Sequence, residues 1–273
     1  MIPSAFAYNR PESIDAAIEL LGEHGEEAKV IAGGHSLLPL MKLRLSNPAL
    51  LIDIGRLSEL SYVRSEGDHV AIGALTRHRD IQMSPELARD APVLCHVAGE
   101  VGDPQVRHRG TIGGSIVHGD PASDLPAVVL AMGGTLVLRG PSGEREIGAG
   151  NFYLGFLETA IAPDELLVEI RVPRSAGGWG FQKFTRRAQD WAIVGAVVTT
   201  SSLGVGVALV NMGSTPHRSS SVESALASGA SAAEASEAAD EGTDPSSDTN
   251  ASGEYRRHLA KVMTRRALEL AGY

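Results

Sequence analysis

Between residues 11 and 24 the apolar side chains Ile14, Ala17, Ile18 and Leu21 recur three and four apart, and Gly22 and Gly25 follow as stops, which predicts an amphipathic helix. The period then shortens. Lys29-Val30-Ile31 and Leu50-Leu51-Ile52-Asp53-Ile54 are apolar runs of strand length, and residues 69–74, 135–139 and 166–172 read the same way. Helices intervene. Thr76 is placed to cap one through Met83, Ser84-Pro85 opens another, and 91–98 forms a third. Ser123 or Asp124 then caps an apolar helix over 125–132 that stops at Gly133-Gly134, while 101–109 reads as a polar connection. Beyond Pro173, the runs 181–184, 192–200 and 205–212 predict an antiparallel meander whose glycines allow turns and close packing. A stretch at 219–250 rich in Ser, Ala, Glu and Asp predicts short helices over 225–239 and a mobile loop near 243–249. A last helix over 252–271 carries Tyr255, Leu259, Val262 and Leu270 opposite a mostly basic face. The fold class is α+β, in three units: 1–57, 58–174 and 175–273, the last a three-stranded antiparallel sheet with helices.

Two double-glycine stretches interrupt this pattern: Ala32-Gly33-Gly34-His35-Ser36 and Thr111-Ile112-Gly113-Gly114-Ser115. Alone, either marks only a tight turn. Paired, they have a chemical use, because glycines reach φ > 0 without a Cβ clash, so successive N–H groups converge on an anion and no side chain blocks its approach. One such nest suits one phosphate; two predict a diphosphate held between lobes, and so a dinucleotide. No G-x-x-x-x-G-K-[ST] occurs, and the nearest approach to G-x-G-x-x-G, Gly204-Val205-Gly206, lies inside an apolar run. P-loop and Rossmann binding are thereby set aside.

Composition narrows the class. A net charge of −9 opposes a nucleic-acid partner. The sole cysteine, Cys95, lies in a helical stretch as a structural thiol and can supply neither a disulfide nor the four ligands of an iron–sulfur cluster, so any cluster must sit on another chain. The nine histidines show no H-E-x-x-H spacing, and no metal site is expected. There is no basic-then-apolar leader and no apolar run of membrane-spanning length, which predicts a cytoplasmic chain.

The first motif continues as Leu37-Leu38-Pro39-Leu40-Met41-Lys42-Leu43-Arg44-Leu45, and the second is followed by His118-Gly119-Asp120-Pro121 and Ser123-Asp124-Leu125-Pro126. In this order they resemble the two FAD loops of the medium, flavoprotein subunit of molybdenum hydroxylases in the xanthine dehydrogenase superfamily, nearest to its aerobic carbon monoxide dehydrogenase branch. The likeness covers nearly the whole chain. It departs at Ser115, where many relatives carry Asn, although a hydroxyl still donates to a phosphate. The resemblance implies a two-lobe FAD-binding domain of the PCMH/VAO type followed by a small C-terminal domain. It implies that Gly33, Gly34, His35 and Ser36 meet the FAD diphosphate, with Ala32 and Leu37 packed beside them, and that Thr111, Gly113, Gly114 and Ser115 approach from the other lobe. Asp124 is implied to accept from ribose or ribityl hydroxyls, with His118 in the same stretch. Leu167 and Lys183 are implied to bracket the isoalloxazine, where an ammonium would raise the reduction potential, and Trp191 to stack near it.

The function so implied is electron transfer, with no acid, base, nucleophile or metal on this chain. FAD takes electrons from a small [2Fe-2S] subunit, fed by a large molybdopterin subunit in a dimer of heterotrimers, and passes them to quinone or NAD. Such a complex is cytoplasmic or held at the inner face of the membrane. The alternatives are a xanthine or N-heterocycle dehydrogenase subunit and a stand-alone flavin oxidoreductase of the same fold, for which the chain is short. A nucleotide-sugar reductase would need a serine and glutamate pair that is not evident, and a scaffold without FAD would not need intact glycine motifs.

Overall fold

Three sheets follow one another along the chain, and the computed structural model describes residues 2–175, 177–201 and 204–273. The first is parallel, ordered β1-β3-β2, from β1 (Ala7–Asn9), β2 (Ala28–Ile31) and β3 (Leu50–Asp53). Against it lies α1 (Ile14–His24), which starts where the Ser13 hydroxyl accepts from the Ala16 amide and buries Ala17, Ile18 and Leu21, the stripe that its spacing predicts. The first glycine motif leaves β2 and runs directly into α2 (Leu37–Lys42).

The second sheet contains β4 (Val63–Glu66), β5 (His69–Gly73), β6 (Thr135–Gly140) and β7 (Gly143–Gly148). A small hairpin of β8 (Tyr153–Gly155) and β9 (Glu158–Thr159) precedes its central strand β10 (Leu166–Pro173), and the order is β4-β5-β10-β6-β7, antiparallel throughout. Side chains alternate across it. Val137, Leu166 and Val168 join the core of the first unit, while Leu136, Leu138, Ile170 and Val172 face a layer of helices. Those helices are α3 (His78–Gln82), α4 (Pro85–Asp90), α5 (Pro92–Glu100), α6 (Pro104–Arg109), α7 (Ile112–His118) and α8 (Asp124–Ala131).

The third sheet is the expected meander, β11 (Trp179–Phe184), β12 (Val194–Ser201) and β13 (Gly204–Val210), extended by the two-residue β14 (His217–Arg218) to four strands. Helices α9 (Ser220–Ala227), α10 (Ala232–Ser236) and α11 (Gly253–Ala271) cover it. Gly180 lets α11 lie on the backbone of β11, since a Cβ there would land on the Ala267 carbonyl; Gly206 does the same for the end of α8 at the Ala131 carbonyl. The second contact joins the third sheet to the helices that cover the second sheet.

Several local expectations are corrected. Thr76 does not cap α3: its hydroxyl is bonded to both the amide and the carbonyl of Tyr62, and Arg77 precedes the helix instead. Residues 101–109 are not all connection, because Asp103 accepts from the Val106 amide and Pro104 takes the first helical position of α6. α11 buries Leu259 as expected, but Tyr255 and Leu270 are exposed; its inner stripe also uses Arg256, Ala260, Met263, Thr264, Ala267 and Leu268, with the small Ala267 at the close approach to Gly180 of β11. The stretch 243–249, expected to be mobile, is irregular yet tied down. The Asp244 amide donates to Met212, Ser247 accepts from the Gly253 amide, and Asp248 pairs with buried Arg256 at 2.8 Å.

Candidate functional site

The two glycine motifs touch. Gly33 lies so close to the strand-like approach to the second motif that an added Cβ would land on the Arg109 carbonyl oxygen, 2.9 Å from the Gly110 Cα. Beside this contact opens a cleft of about 1260 Å³, larger than most small-molecule pockets. Every residue that the sequence singles out lines it: Ala32, Gly33, Gly34, His35, Ser36, Leu37, Thr111, Gly113, Gly114, Ser115, His118, Asp124, Leu167, Lys183 and Trp191. They come from all three sheets' neighbourhoods.

The first motif presents backbone. Gly34 adopts φ of 78°, the left-handed turn that glycine tolerates, and swings the chain into α2. Among the described residues, nothing accepts from the amides of Gly33, Gly34, His35, Ser36 or Leu37; the first amide of this stretch with a partner is Leu38, which donates to the Gly34 carbonyl. Successive unpaired N–H groups at a turn that opens a helix form an anion cradle. The His35 side chain is exposed and adds nothing to the wall beyond its backbone.

The second motif corrects the expectation of a matching nest. Neither Gly113 nor Gly114 has positive φ. Thr111 is the N-cap of α7, its hydroxyl accepting from the Gly114 amide at 3.2 Å, while Ile112 donates to Thr76, Gly113 to Ala74 and Ser115 to the Thr111 carbonyl. These four amides are taken. Gly113 is small for a different reason: a Cβ would sit 2.6 Å from the Ala74 carbonyl and 2.7 Å from the Ala74 Cβ, so the glycine seats α7 against the end of β5. Toward the cleft this motif offers the Ser115 hydroxyl.

His78, which the sequence reading passed over, lies under that hydroxyl. Its ring is 3% exposed, packs on Gly110, and brings Nε2 to 3.3 Å from Ser115 Oγ, with Nδ1 buried and unpartnered. Burial, with smaller contributions from His35 and Arg107, pushes its pKa down to about 4, so the imidazole is neutral at neutral pH.

Further along the wall, Asp124 is the first residue of α8 rather than its cap, and Ser123 makes no cap bond. Both Asp124 and Lys183 are buried, and Lys183 Nζ donates to Asp124 Oδ2 at 2.7 Å and to the Glu100 carbonyl at 3.3 Å. Burial raises the Asp124 pKa to about 6 despite the lysine. Asp124 lines the cleft, and its Oδ1 is buried without a partner. Lys183 is therefore not the free cation expected beside a flavin: two of its three donor directions are engaged within the chain.

The remaining positions divide by exposure. Leu167 is buried at an irregularity in the β10–β6 ladder, His118 is half-buried with its pKa lowered by burial, and Trp191 is 61% exposed at the mouth. Cys95 lies outside this cleft. It donates to the Ile81 carbonyl at 3.2 Å, and burial pushes its thiol up to about 11, so it is unreactive. Among the described residues, no group of three His, Cys, Asp or Glu could hold a metal ion, and no helix is long and apolar enough to cross a membrane.

Comparison with known proteins gives this cleft its class. Residues 4–175 match the family described as the FAD binding domain in molybdopterin dehydrogenase, and residues 179–271 match the CO dehydrogenase flavoprotein C-terminal domain. The chain belongs to this family, the FAD-carrying medium subunits of molybdenum hydroxylases, and is an FAD-binding oxidoreductase subunit. It is 42% identical to the carbon monoxide dehydrogenase medium chain of Hydrogenophaga pseudoflava, over 99% of this chain and 98% of that one. A solved structure of carbon monoxide dehydrogenase from the same organism, lacking the Mo-pyranopterin moiety, superposes with a TM-score of 0.94 at 41% identity, covering 99% and 98% of the two chains. The alpha subunit of the 6-hydroxypseudooxynicotine dehydrogenase complex of Paenarthrobacter nicotinovorans is 38% identical, over 99% of this chain and 96% of that one.

Proposed function

We propose that the cleft holds FAD with its diphosphate on the unpaired amides of the first glycine motif, and that the chain passes electrons from an iron–sulfur subunit to quinone or NAD. The observation that carries this reading is the pairing, in one cleft, of that row of free amides with Asp124, whose Oδ1 has no partner. FAD, when bound, supplies redox chemistry that accepts electrons singly and releases them in pairs. The chain's own residues do the rest. Gly33 and Gly34 offer unpaired amides to phosphate oxygens, Ser115 donates its hydroxyl, and Asp124 accepts from a ribityl or ribose hydroxyl. Thr111, Gly113 and Gly114 act through packing, keeping α7 and Ser115 in place beside the first motif. Leu167 and His118 line the inner wall, Lys183 keeps one donor direction open, and exposed Trp191 covers the outer edge against water.

The units 1–57 and 58–174 then act as two FAD lobes, with 175–273 contributing Lys183 and Trp191. In the complex, molybdopterin and [2Fe-2S] belong to partner subunits, arranged as a dimer of heterotrimers in the cytoplasm or against the inner face of the membrane. Carbon monoxide is the substrate of that complex, by similarity to the two carbon monoxide dehydrogenase medium chains at 42% and 38% identity. An N-heterocycle is the second reading, favoured by the 38% identity to the 6-hydroxypseudooxynicotine dehydrogenase subunit. Co-purification of the native complex, followed by reduction of its bound flavin with carbon monoxide or N-heterocycles, separates the two. Bleaching of flavin absorbance near ~450 nm by carbon monoxide alone is the expected result. A purified complex with no flavin band contradicts the FAD reading itself.

A further inference from the structure

We propose that His78 is a positioning residue that fixes the Ser115 hydroxyl as a hydrogen-bond donor toward a phosphate group in the cleft. The inference rests on the FAD reading above and extends it to a buried side chain that lines the same cleft.

The geometry restricts what His78 does. Its ring is locked by Gly110 below, its amide donates to the Gly110 carbonyl, and its Nε2 faces Ser115 Oγ at 3.3 Å. A neutral imidazole carries one N–H. If that proton sat on Nδ1, a buried donor would be orphaned and Nε2 would draw the serine proton inward, away from the cleft. With the proton on Nε2, the ring donates to Ser115 Oγ and leaves only a lone pair of Nδ1 unpaired, the smaller penalty. The single proton of Ser115 is then directed to the open side, where an anion accepts it.

The surroundings keep the ring in this form. Burial is the largest cause of its lowered pKa, with smaller contributions from His35 of the first motif and Arg107 of α6; Arg77, Arg79 and Asp80 belong to its own segment. Imidazolium is disfavoured by burial. A phosphate-directed hydroxyl has a use here because the amides of Ile112, Gly113, Gly114 and Ser115 are already engaged, which makes Ser115 Oγ the side-chain donor this motif offers.

The test uses the full chain co-expressed with its partner subunits, with flavin removed and re-added, and compares FAD with riboflavin, which lacks phosphate. His78→Leu is expected to weaken FAD binding about tenfold while leaving riboflavin binding unchanged. His78→Gln, whose amide also donates to Ser115, is expected to restore it. On a Ser115→Ala background, His78→Leu is expected to add nothing. A loss shared equally by riboflavin, or one that persists in full on the Ser115→Ala background, overturns the proposal. Should the leucine variant not fold, His78→Asn, too short to reach Ser115, replaces it against His78→Gln, and equal FAD affinity of those two overturns the proposal. If the unaltered complex binds no FAD at all, the FAD reading fails and this proposal with it.

Discussion

The two glycine motifs share a letter pattern and one packing use, a first glycine that admits a backbone carbonyl of Arg109 at Gly33 and of Ala74 at Gly113, but they differ in backbone conformation and in what their amides do. At Gly33-Gly34 the backbone turns through positive φ at Gly34, and the five consecutive amides of Gly33, Gly34, His35, Ser36 and Leu37 have no partner among the described residues. At Gly113-Gly114 the backbone is already helical, its amides are paired within the chain, and the missing side chain serves the fit of α7 against Ala74. Paired glycines in a sequence therefore announce close approach; whether ligand or protein does the approaching depends on where the amides point.

The contrast is strongest where the second motif's side of the cleft is buried and charged. Lys183→Met leaves Asp124 buried without its cation and is expected to cost about 3–5 kcal/mol at neutral pH. The loss should shrink below pH 6, where Asp124 takes up a proton, and chemical denaturation at two pH values checks it. Next in size, Gly113→Ala forces a methyl into the Ala74 backbone and should lower stability by about 1–3 kcal/mol, read as a fall in Tm of the cofactor-free chain. Gly34→Ala imposes a side chain at φ of 78° and should cost about 1–2 kcal/mol. Its larger relative effect is expected on FAD affinity, measured by flavin titration. If the two alanine variants behave alike in both assays, the distinction between the motifs fails.

Thr111→Val tests the same distinction from the other side, removing the cap oxygen and freeing the Gly114 amide. Stability should drop by about 1 kcal/mol, and hydrogen exchange at Gly114 should accelerate. The smallest effect is a cancellation. The pKa of Asp124 is raised to about 6, so its contribution to stability falls as pH rises from its unfolded value toward 6. His78, lowered to about 4, contributes the reverse, a gain as pH rises from 4 toward its unfolded value near 6.5. The unaltered chain should show little net slope from these two groups between pH 4 and 6.5, and Asp124→Asn should unmask the upward slope of His78.

What the sequence could show depended on the kind of interaction. Apolar periodicity found α1, the central strands β5, β6 and β10, and the meander, because each buries a regular stripe. It missed β1, β4 and β7, whose residues are mostly exposed and polar and which exist by pairing with a buried neighbour. The face of α11 was misjudged because large apolar residues were favoured, whereas contact with a glycine-bearing strand selects small ones. At the site, glycine spacing and family likeness named residues that all line one cleft. The pairing of the Ile112 and Gly113 amides with Thr76 and Ala74, the contact of Ser115 with His78 and the partnership of Asp124 with Lys183 were illegible, since each joins distant parts of the chain, 37 positions apart for Ser115 and His78 and 59 for Asp124 and Lys183. His78 carried one available signal, a histidine flanked by Arg77 and Arg79 just after a strand, but nothing local marks it as buried.

Because the cleft is walled by residues as early as Leu21 and as late as Trp191, no nascent chain that stops short of Trp191 contains all of it. Capture of the cofactor must wait until β11 and the segment after it have been synthesised and have docked, so a nascent chain halted before Lys183 would hold the complete first motif and still lack a place to keep what that motif attracts.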